Sequence, residues 1–361
     1  MKNSLALPLS TRLGVFETQL FDAIRVGFLP YLVSRALLGL AAGVANLAIP
    51  YGRPQDPQHS WPLQPWLAWD AVHYLRIARE GYPAAASATD DGFFPLLPLL
   101  LRATGGSDWA GVGLAFVFGL AALAVLAALT TRVLGREAAV RVAWVAAFWP
   151  AALVLSAVYT EGLFLALAAG ALWAAWRGRA AWAAGLGLAA GLLRPNGVML
   201  ALPLLLLLPA GRARLAALAP VAGAAAFGAY LWLLTGDPLA FAGSQAAHHS
   251  VVPGRPLARL LTPDSGELVG LGFLVVAAAA AIWLRRRPEL GAWRTAGPLA
   301  VVALLAAPFA SGSLASFGRY TMVAFPIYWA VQRLPAALLA GVLVPATLAY
   351  SVLAGTGRFT P

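Results

Sequence analysis

Asp70 is followed three residues later by His73, and this pair of side chains suits acid–base chemistry. Asp70 and His73 lie in the run WDAVHYLRIAREGYP, whose glycine and proline are helix-stop signals. As a helix, the run places Asp70, His73 and Tyr74 on one face. Arg76 and Glu80 form an i, i+4 pair on another face. Asp70 is therefore a candidate general base, although an interfacial amphipathic helix with its charges in water explains the same spacing equally well.

Further polar residues stand where apolar runs meet. Glu161 follows SAVYT at a tight junction, where a helix N-terminus favours a carboxylate but lipid disfavours it unless it is paired; an N-terminal cap explains it equally well. Arg194 and Asn196 belong to the turn RPNG, and Arg319 precedes Tyr320 at a similar junction. An arginine at such a place either snorkels to the interface or binds an anion such as a phosphate, and we favour the anion.

Metal-ligand and cofactor motifs are scarce. His248 and His249 are adjacent, and a metal site joining them to Asp90 and Asp91 can be drawn, but no ligand spacing supports it. The sequence has no phosphate-binding glycine loop, dinucleotide fingerprint, zinc-protease helix or serine-hydrolase elbow. It therefore predicts no metal site and no bound cofactor, while a divalent cation stays open.

The composition indicates the environment in which these polar residues lie. Of 361 residues, 61% are hydrophobic and 11% are charged, against about a quarter charged in soluble domains. The apolar residues form long runs, which excludes a soluble enzyme and predicts an all-α polytopic membrane protein. Cysteine is absent, so thiolate chemistry is excluded. The net charge of +11 is scattered between apolar runs, which indicates membrane topology and no nucleic-acid partner.

The apolar runs predict about 11 transmembrane helices in a single integral-membrane domain, 1–361. A first span at 21–49 precedes an outer loop with interfacial helices at 50–108, and the remaining spans occupy 109–361. Several runs are shorter than the ~20 residues that cross hydrocarbon unaided. The segment 93–101 is only about half that length, so we expect it at the outer interface. The predicted spans are 21–49, 109–131, 142–157, 162–176, 180–193, 198–209, 215–235, 268–284, 296–310, 320–332 and 336–354.

The arginines set the orientation of these spans. With 93–101 on the surface, the arginine-bearing connections fall on one side, which the positive-inside rule makes cytoplasmic. Most of the 14 acidic residues, including Asp70 and Glu161, then fall on the other side. We therefore expect any active site on the non-cytoplasmic face, and the rich alanine, leucine and arginine content suggests a bacterial plasma membrane.

Four motifs in order, WDAVHY, FFP, YTEGLF and RPNG, resemble those of the PIG-V-like mannosyltransferases, relatives of the second GPI mannosyltransferase. They span residues 60–200. The resemblance implies a GT-C-type glycosyltransferase with a catalytic aspartate in its first outer loop, which here is Asp70. It also implies a polyprenyl-phosphate sugar as donor. RPNG departs from the RSNG of the animal members, because proline replaces the serine hydroxyl, but the arginine is kept.

The residues fit this chemistry, because sugar transfer from a lipid phosphate to an alcohol needs a base, a cation for the departing phosphate, and access from the bilayer. We expect an inverting transfer with Asp70 as catalytic base, Arg194 or Arg319 on the phosphate, and other polar residues orienting the sugar or the catalytic loop. The substrate-binding residues expected are His73, Tyr74, Glu161, Arg194, Asn196 and Arg319. The hexose is mannose by resemblance, and the acceptor is a glycolipid or cell-envelope hydroxyl.

Two other functions remain open at this point. A lipid or small-molecule transporter or flippase is also basic and many-spanned, but transporters usually hold ionisable groups near the midplane of repeated halves. Here Arg35 is the clear mid-span charge and no halves are visible. A non-catalytic assembly subunit would keep the same fold. Membrane lipids are expected around the protein in each case, and protein partners are not indicated.

Overall fold

The computed structural model describes residues 9–52, 59, 62–83, 89–249, 265–310, 314 and 316–358. Within these residues, every regular element is a helix, which confirms the all-α prediction. In the first half of the chain the α-helices are α1 (Leu9–Ala48), α2 (Gln64–Leu67), α3 (Asp70–Glu80), α4 (Leu96–Ala103), α5 (Asp108–Leu134), α6 (Arg136–Ala147), α7 (Glu161–Trp176) and α8 (Ala180–Leu193).

The second half continues in the same manner, with shorter helices between the long ones. Its helices are α9 (Ala201–Leu207), α10 (Ala219–Thr235), α11 (Ala240–His249), α12 (Ser265–Arg285), α13 (Trp293–Ala310), α14 (Phe317–Val323), α15 (Pro326–Val331) and α16 (Ala336–Gly355). Tight 3₁₀ turns join several of them, at Asp90–Gly92, Ala152–Leu155, Pro195–Leu200, Arg212–Leu218 and Pro288–Leu290.

Six helical segments of the described chain are long and apolar enough to cross a bilayer, and three shorter apolar helices lie among them. The protein is thus a membrane protein, but the predicted count of eleven spans is not confirmed. The predicted span at 142–157 leaves α-helical form after Ala147, just before Pro150. The predicted span at 320–332 is divided between α14 and α15 at Ala324 and Phe325. Hydropathy reports the composition of a run and not the continuity of its backbone.

The segment 93–101 is too short to span, as expected. Its helix α4 has eight residues and packs on α3, with Leu97, Pro98 and Leu101 buried. Proline at the start and within the first turn is compatible with a short helix, because those positions lack an intrahelical amide partner. α3 and α4 together therefore form a helical lid over the ends of the longer helices.

The arginine-bearing connections lie at the end of the molecule opposite α3. α5 starts beside α3, where Asp108 pairs with Arg79, and Arg132 near its other end lies about 36 Å along the helix axis. α7 and α8 pack as a hairpin, so that Arg177 and Arg179 at their turn lie far from the start of α7 and the end of α8. Arg132, Arg177 and Arg179 therefore lie at the end of the bundle opposite the helical lid.

The connection between α6 and α7 is buried although it is not α-helical. Its free carbonyl groups need partners, since lipid supplies none. Arg35, in the middle of α1 and 3% exposed, donates to the carbonyls of Ala147 (3.0 Å) and Ala152 (2.5 Å) and to the Ser156 hydroxyl (2.7 Å). The mid-span charge thus stabilises the broken segment that leads to Glu161.

Glycine permits the close approach of the helices that support this segment. A Cβ atom on Gly162 would lie 2.9 Å from the carbonyl oxygen of Leu155, and one on Gly119 of α5 would overlap the same atom. Any side chain at either position would therefore displace the start of α7. From the sequence alone, these glycines are recognisable only as small residues within apolar runs.

Candidate active site

The predicted helix in the first outer loop is confirmed as α3, which ends at Gly81 with φ +87°. One face is buried, including Ala71, Tyr74 and Ile77. An interfacial helix on the membrane surface would expose its apolar face to lipid. Because this face of α3 is buried, α3 packs against the rest of the protein. Asp70 is its first residue, and α3 therefore holds this carboxylate at a fixed place.

Asp70 belongs to a cluster of four charged side chains. Its Oδ2 accepts a hydrogen bond from Arg319 Nη1 at 2.6 Å. Arg319 Nε lies 3.0 Å from Glu161 Oε1, and Arg194 Nη1 donates to the same oxygen at 2.5 Å. We call these four residues the charge cluster. It contains two carboxylates and two guanidinium groups, so its formal charges cancel.

The charge cluster is assembled from element ends. Glu161 is the first residue of α7, Arg194 follows the last residue of α8, and Arg319 lies in the first turn of α14. The α7–α8 hairpin explains why Glu161 and Arg194 meet. Glu161 is 1% exposed, whereas the Asp70 side chain is 23% exposed. Asp70 is therefore the more exposed of the two carboxylates, and Glu161 is the buried partner of both arginines.

Aromatic rings enclose the two arginines. The Arg194 guanidinium lies over Phe164 and Tyr320, each 5.6 Å from the ring centroid. Arg319 lies over Tyr159 and Tyr320 at 5.4 and 5.5 Å. Cation–π contacts of this kind fix the planes of the guanidinium groups without using their N–H donors. Donors of both arginines are therefore held in place rather than left to rotate.

The surroundings of Asp70 keep it ionised. Burial favours the neutral acid, but the charge and hydrogen bond of Arg319 outweigh burial, and His73 and Arg194 add to this effect. The pKa of Asp70 consequently lies below its ordinary value. At neutral pH the carboxylate is available as a proton acceptor.

Two buried residues of the predicted site have polar atoms without protein partners. Asn196, 4% exposed, follows Arg194, and neither its amide oxygen nor its nitrogen has a hydrogen-bond partner within the described residues. The same holds for the second carboxylate oxygen of Glu161. Buried polar atoms are rarely left unpaired, so these atoms are suited to water or to ligand hydroxyls. Tyr74 is also buried, edge-on to Phe93 at 5.0 Å.

His73 lies in a neighbouring cluster and not among the four charges. Its Nδ1 lies 3.1 Å from Asp90 Oδ1, and its ring stacks on Phe93 at 4.5 Å. Arg76 Nε donates to Asp90 Oδ2 at 3.1 Å. The expected pair of Arg76 with Glu80 is wrong: Arg76 turns toward Asp90 and Glu80 is exposed, because the packed lid offers a partly buried carboxylate that a surface pair lacks.

Sequence reasoning missed several residues that shape the site. The sequence suggests Asp90 only as a possible metal ligand. In the structure its carboxylate contacts His73 and accepts a hydrogen bond from Arg76. Tyr159 and Tyr320 were read as parts of motifs, without a role against the arginines. A signal existed for Tyr159, because it directly precedes the junction that holds Glu161.

The described side chains do not support a metal site that joins Asp90 and Asp91 to His248 and His249. Those of His248 and His249 lie outside them, and no group of three or more potential His, Asp or Glu ligands is found among the described residues.

The comparisons with known proteins point to one family. Residues 58–203 match the family model described as mannosyltransferase (PIG-V). That segment is about two fifths of the chain and contains Asp70, Glu161, Arg194 and Asn196. No curated protein sequence matches the chain.

Solved structures of the Archaeoglobus fulgidus oligosaccharyltransferase are similar in arrangement. One, a complex with Zn and sulfate, has 14% identity and a TM-score of 0.46, and the match covers 89% of this chain and 52% of that one. The other, tethered to an acceptor peptide containing the NVT sequon through a disulfide bond, has 14% identity and a TM-score of 0.48, with 91% and 56% covered.

The chain thus spans about half the length of the oligosaccharyltransferase, and this likeness carries no inference about substrates. The family match is independent of it and covers the part of the chain that contains both carboxylates of the charge cluster and one of its two arginines. Residues 58–203 thus match the mannosyltransferase (PIG-V) family model, and this match, together with the six apolar helices, supports a membrane glycosyltransferase.

Proposed function

We propose that the protein transfers a hexose, mannose by its family, from a polyprenyl phosphate to a hydroxyl group of a glycolipid or cell-envelope acceptor, with inversion. The observation that carries this proposal is the charge cluster, in which a partly exposed carboxylate lies against an arginine that is itself held by a buried acid. Base and phosphate-binding cation are thereby adjacent, as a GT-C-type transfer requires.

The proposed reaction is a single displacement. The carboxylate of Asp70 takes the proton of the acceptor hydroxyl while that oxygen attacks the anomeric carbon of the sugar. The bond between this carbon and the phosphate oxygen breaks, and polyprenyl phosphate leaves with the electron pair. Attack from the face opposite the leaving group inverts the anomeric centre. Transition-state charge then develops on the phosphate oxygen, where a preorganised cation is most effective.

Arg319 is the proposed phosphate ligand. It is the arginine that touches Asp70, and it is the more exposed of the two, with 11% of its side chain accessible against 6% for Arg194. Glu161 and the rings of Tyr159 and Tyr320 hold the guanidinium in place. Arg194 in turn holds Glu161, and with Asn196 it supports the sugar-facing side of the site.

The proposed site faces the non-cytoplasmic side of a bacterial plasma membrane. Its residues lie at the lid end of the helices, and the exposed arginines of the α7–α8 turn lie at the opposite end. Positively charged connections are retained in the cytoplasm, so the lid end is translocated. A lipid-linked donor would reach the cluster from the outer leaflet.

Removal of the proposed base tests the proposal. Asp70→Asn keeps the shape of the side chain but cannot accept the proton, and we expect transfer to fall by about 10²–10⁴-fold. The assay follows labelled sugar from polyprenyl-phosphate mannose into chloroform-extractable and wall-linked acceptors in membranes. Glu80→Gln is the matched control, since Glu80 is an exposed acid of the same helix.

Full transfer by Asp70→Asn would show that the base is another group. Movement of intact labelled donor across the bilayer, with no release of sugar, would support a flippase instead. The two readouts come from the same membranes, so the enzyme and transporter alternatives are decided together.

A further inference from the structure

The residue before Asp70 has an unusual backbone. Trp69 has φ +61° and ψ −121°, and it is the one non-glycine residue with positive φ among those described. A Cβ atom clashes with the backbone in this region, so only glycine adopts it without cost. A bulky residue persists there only where the surroundings hold it.

The surroundings of Trp69 supply such restraints. Its indole Nε1 donates to the carbonyl oxygen of Ala354, in the last turn of α16, at 3.2 Å. Its own carbonyl oxygen accepts the amide of Val72 at 3.0 Å, in the first turn of α3. The indole is thus fixed to the end of the last helix, and the backbone is fixed to the first turn of the helix that begins with Asp70.

The strained turn determines where Asp70 points. The Asp70 amide donates to the hydroxyl of Tyr159 at 3.3 Å, while its carboxylate contacts Arg319. Both contacts require the chain to enter α3 at the angle that Trp69 sets. Relaxation of φ at Trp69 to a negative value would rotate the peptide that carries the Asp70 amide and draw the carboxylate away from Arg319.

We infer that Trp69 is a positioning residue, whose indole contact with the Ala354 carbonyl holds a strained turn that aims Asp70 at Arg319. The inference rests on the proposed function, because it assigns Trp69 a role through the proposed base. It adds the last helix to the parts of the protein on which catalysis depends.

A pair of substitutions separates backbone strain from packing. Trp69→Gly and Trp69→Ala both remove the indole, but glycine tolerates the positive φ and alanine does not. We expect Trp69→Gly to keep several-fold more transfer than Trp69→Ala, with kcat affected and KM for the lipid donor little changed. If packing alone mattered, the alanine variant would equal or exceed the glycine variant, and the inference would be wrong.

The pH profile supplies the second readout. Trp69→Phe keeps an aromatic ring, although a smaller one, but cannot donate to Ala354. We expect a 10- to 100-fold lower kcat with an acidic limb moved to higher pH, because Asp70 then lies farther from Arg319. Trp109→Phe, at an indole that is 64% exposed, is the matched control and should leave both unchanged. A normal acidic limb in Trp69→Phe would contradict the inference.

Measuring Asp70→Asn in parallel distinguishes failure of the proposed function from failure of the role assigned to Trp69. Activity in that variant overturns the proposed function. Loss of activity there, with unaltered pH profiles in the Trp69 variants, overturns only the role of Trp69.

Discussion

The Asp70 carboxylate accepts a hydrogen bond from a residue 249 positions away, Arg319. The sequence identifies both side chains by type and by their place at span junctions, and the four residues of the charge cluster were all among those predicted. The sequence does not reveal which of these side chains contact each other. In the structure, Glu161 binds both arginines, and His73 contacts Asp90. Such contacts depend on the packing of helix ends, which spacing along the chain does not encode.

The lowered pKa of Asp70 has a kinetic consequence. A base is active only when deprotonated, so activity is present above its pKa and is lost as the pH falls through it. We expect the acidic limb of kcat/KM to lie below about pH 4, the ordinary range for aspartate. In Arg319→Gln the stabilising charge is gone, and the limb should move to higher pH while kcat falls. An acidic limb near pH 6 in the unaltered protein would contradict this assignment.

Glu161 should matter for stability as well as for catalysis. Glu161→Gln leaves two nearly buried guanidinium groups without their shared carboxylate, and loss of one partner from a buried ion pair costs about 3–5 kcal/mol. We expect a clear drop in the thermal unfolding temperature of the detergent-solubilised protein. Glu289→Gln breaks an exposed pair with Arg287, worth at most about 1 kcal/mol, and should leave the transition almost unmoved.

At the scale of elements, the helix of the outer loop was predictable and the broken spans were not. The WDAVHY run has helical spacing and a glycine stop, and α3 follows both. The segment after Ala147 is apolar enough to read as a continued span, yet its backbone leaves the α-helix. What permits the break is Arg35, which lies more than a hundred residues earlier and supplies the missing donors.

Arg35→Met tests that explanation. Methionine fills similar space but donates no hydrogen bond, so the carbonyls of Ala147 and Ala152 lose a partner, at about 1–3 kcal/mol for each unsatisfied group. We expect lower thermal stability and reduced transfer, because the connection leads directly to Glu161. Arg25→Met, at an exposed arginine of the same helix, is the control. Equal melting temperatures for the two variants would show that Arg35 does not support the segment.

At the scale of the whole molecule, the lack of cysteine makes the orientation directly measurable. Glu80→Cys places a lone thiol on the lid, and Arg179→Cys places one at the α7–α8 turn; both positions are exposed. In intact cells, a membrane-impermeant maleimide should label Glu80→Cys, and it should label Arg179→Cys only after permeabilisation. The reverse pattern would place the site in the cytoplasm and contradict the proposed use of an outer-leaflet donor.

The neutrality of the charge cluster has a consequence for substrate entry. Two carboxylates already occupy two guanidinium groups, so an arriving monoanion finds every cation engaged. We expect the phosphate of the proposed donor to bind by exchange, in which Arg319 gives up its contact with a carboxylate. Because Asp70 is the more exposed of the two carboxylates, we expect it to be the one displaced, and a carboxylate that has lost its cation is a stronger base. In the proposed reaction, the lipid donor would therefore bind first and the acceptor alcohol would be activated only afterwards.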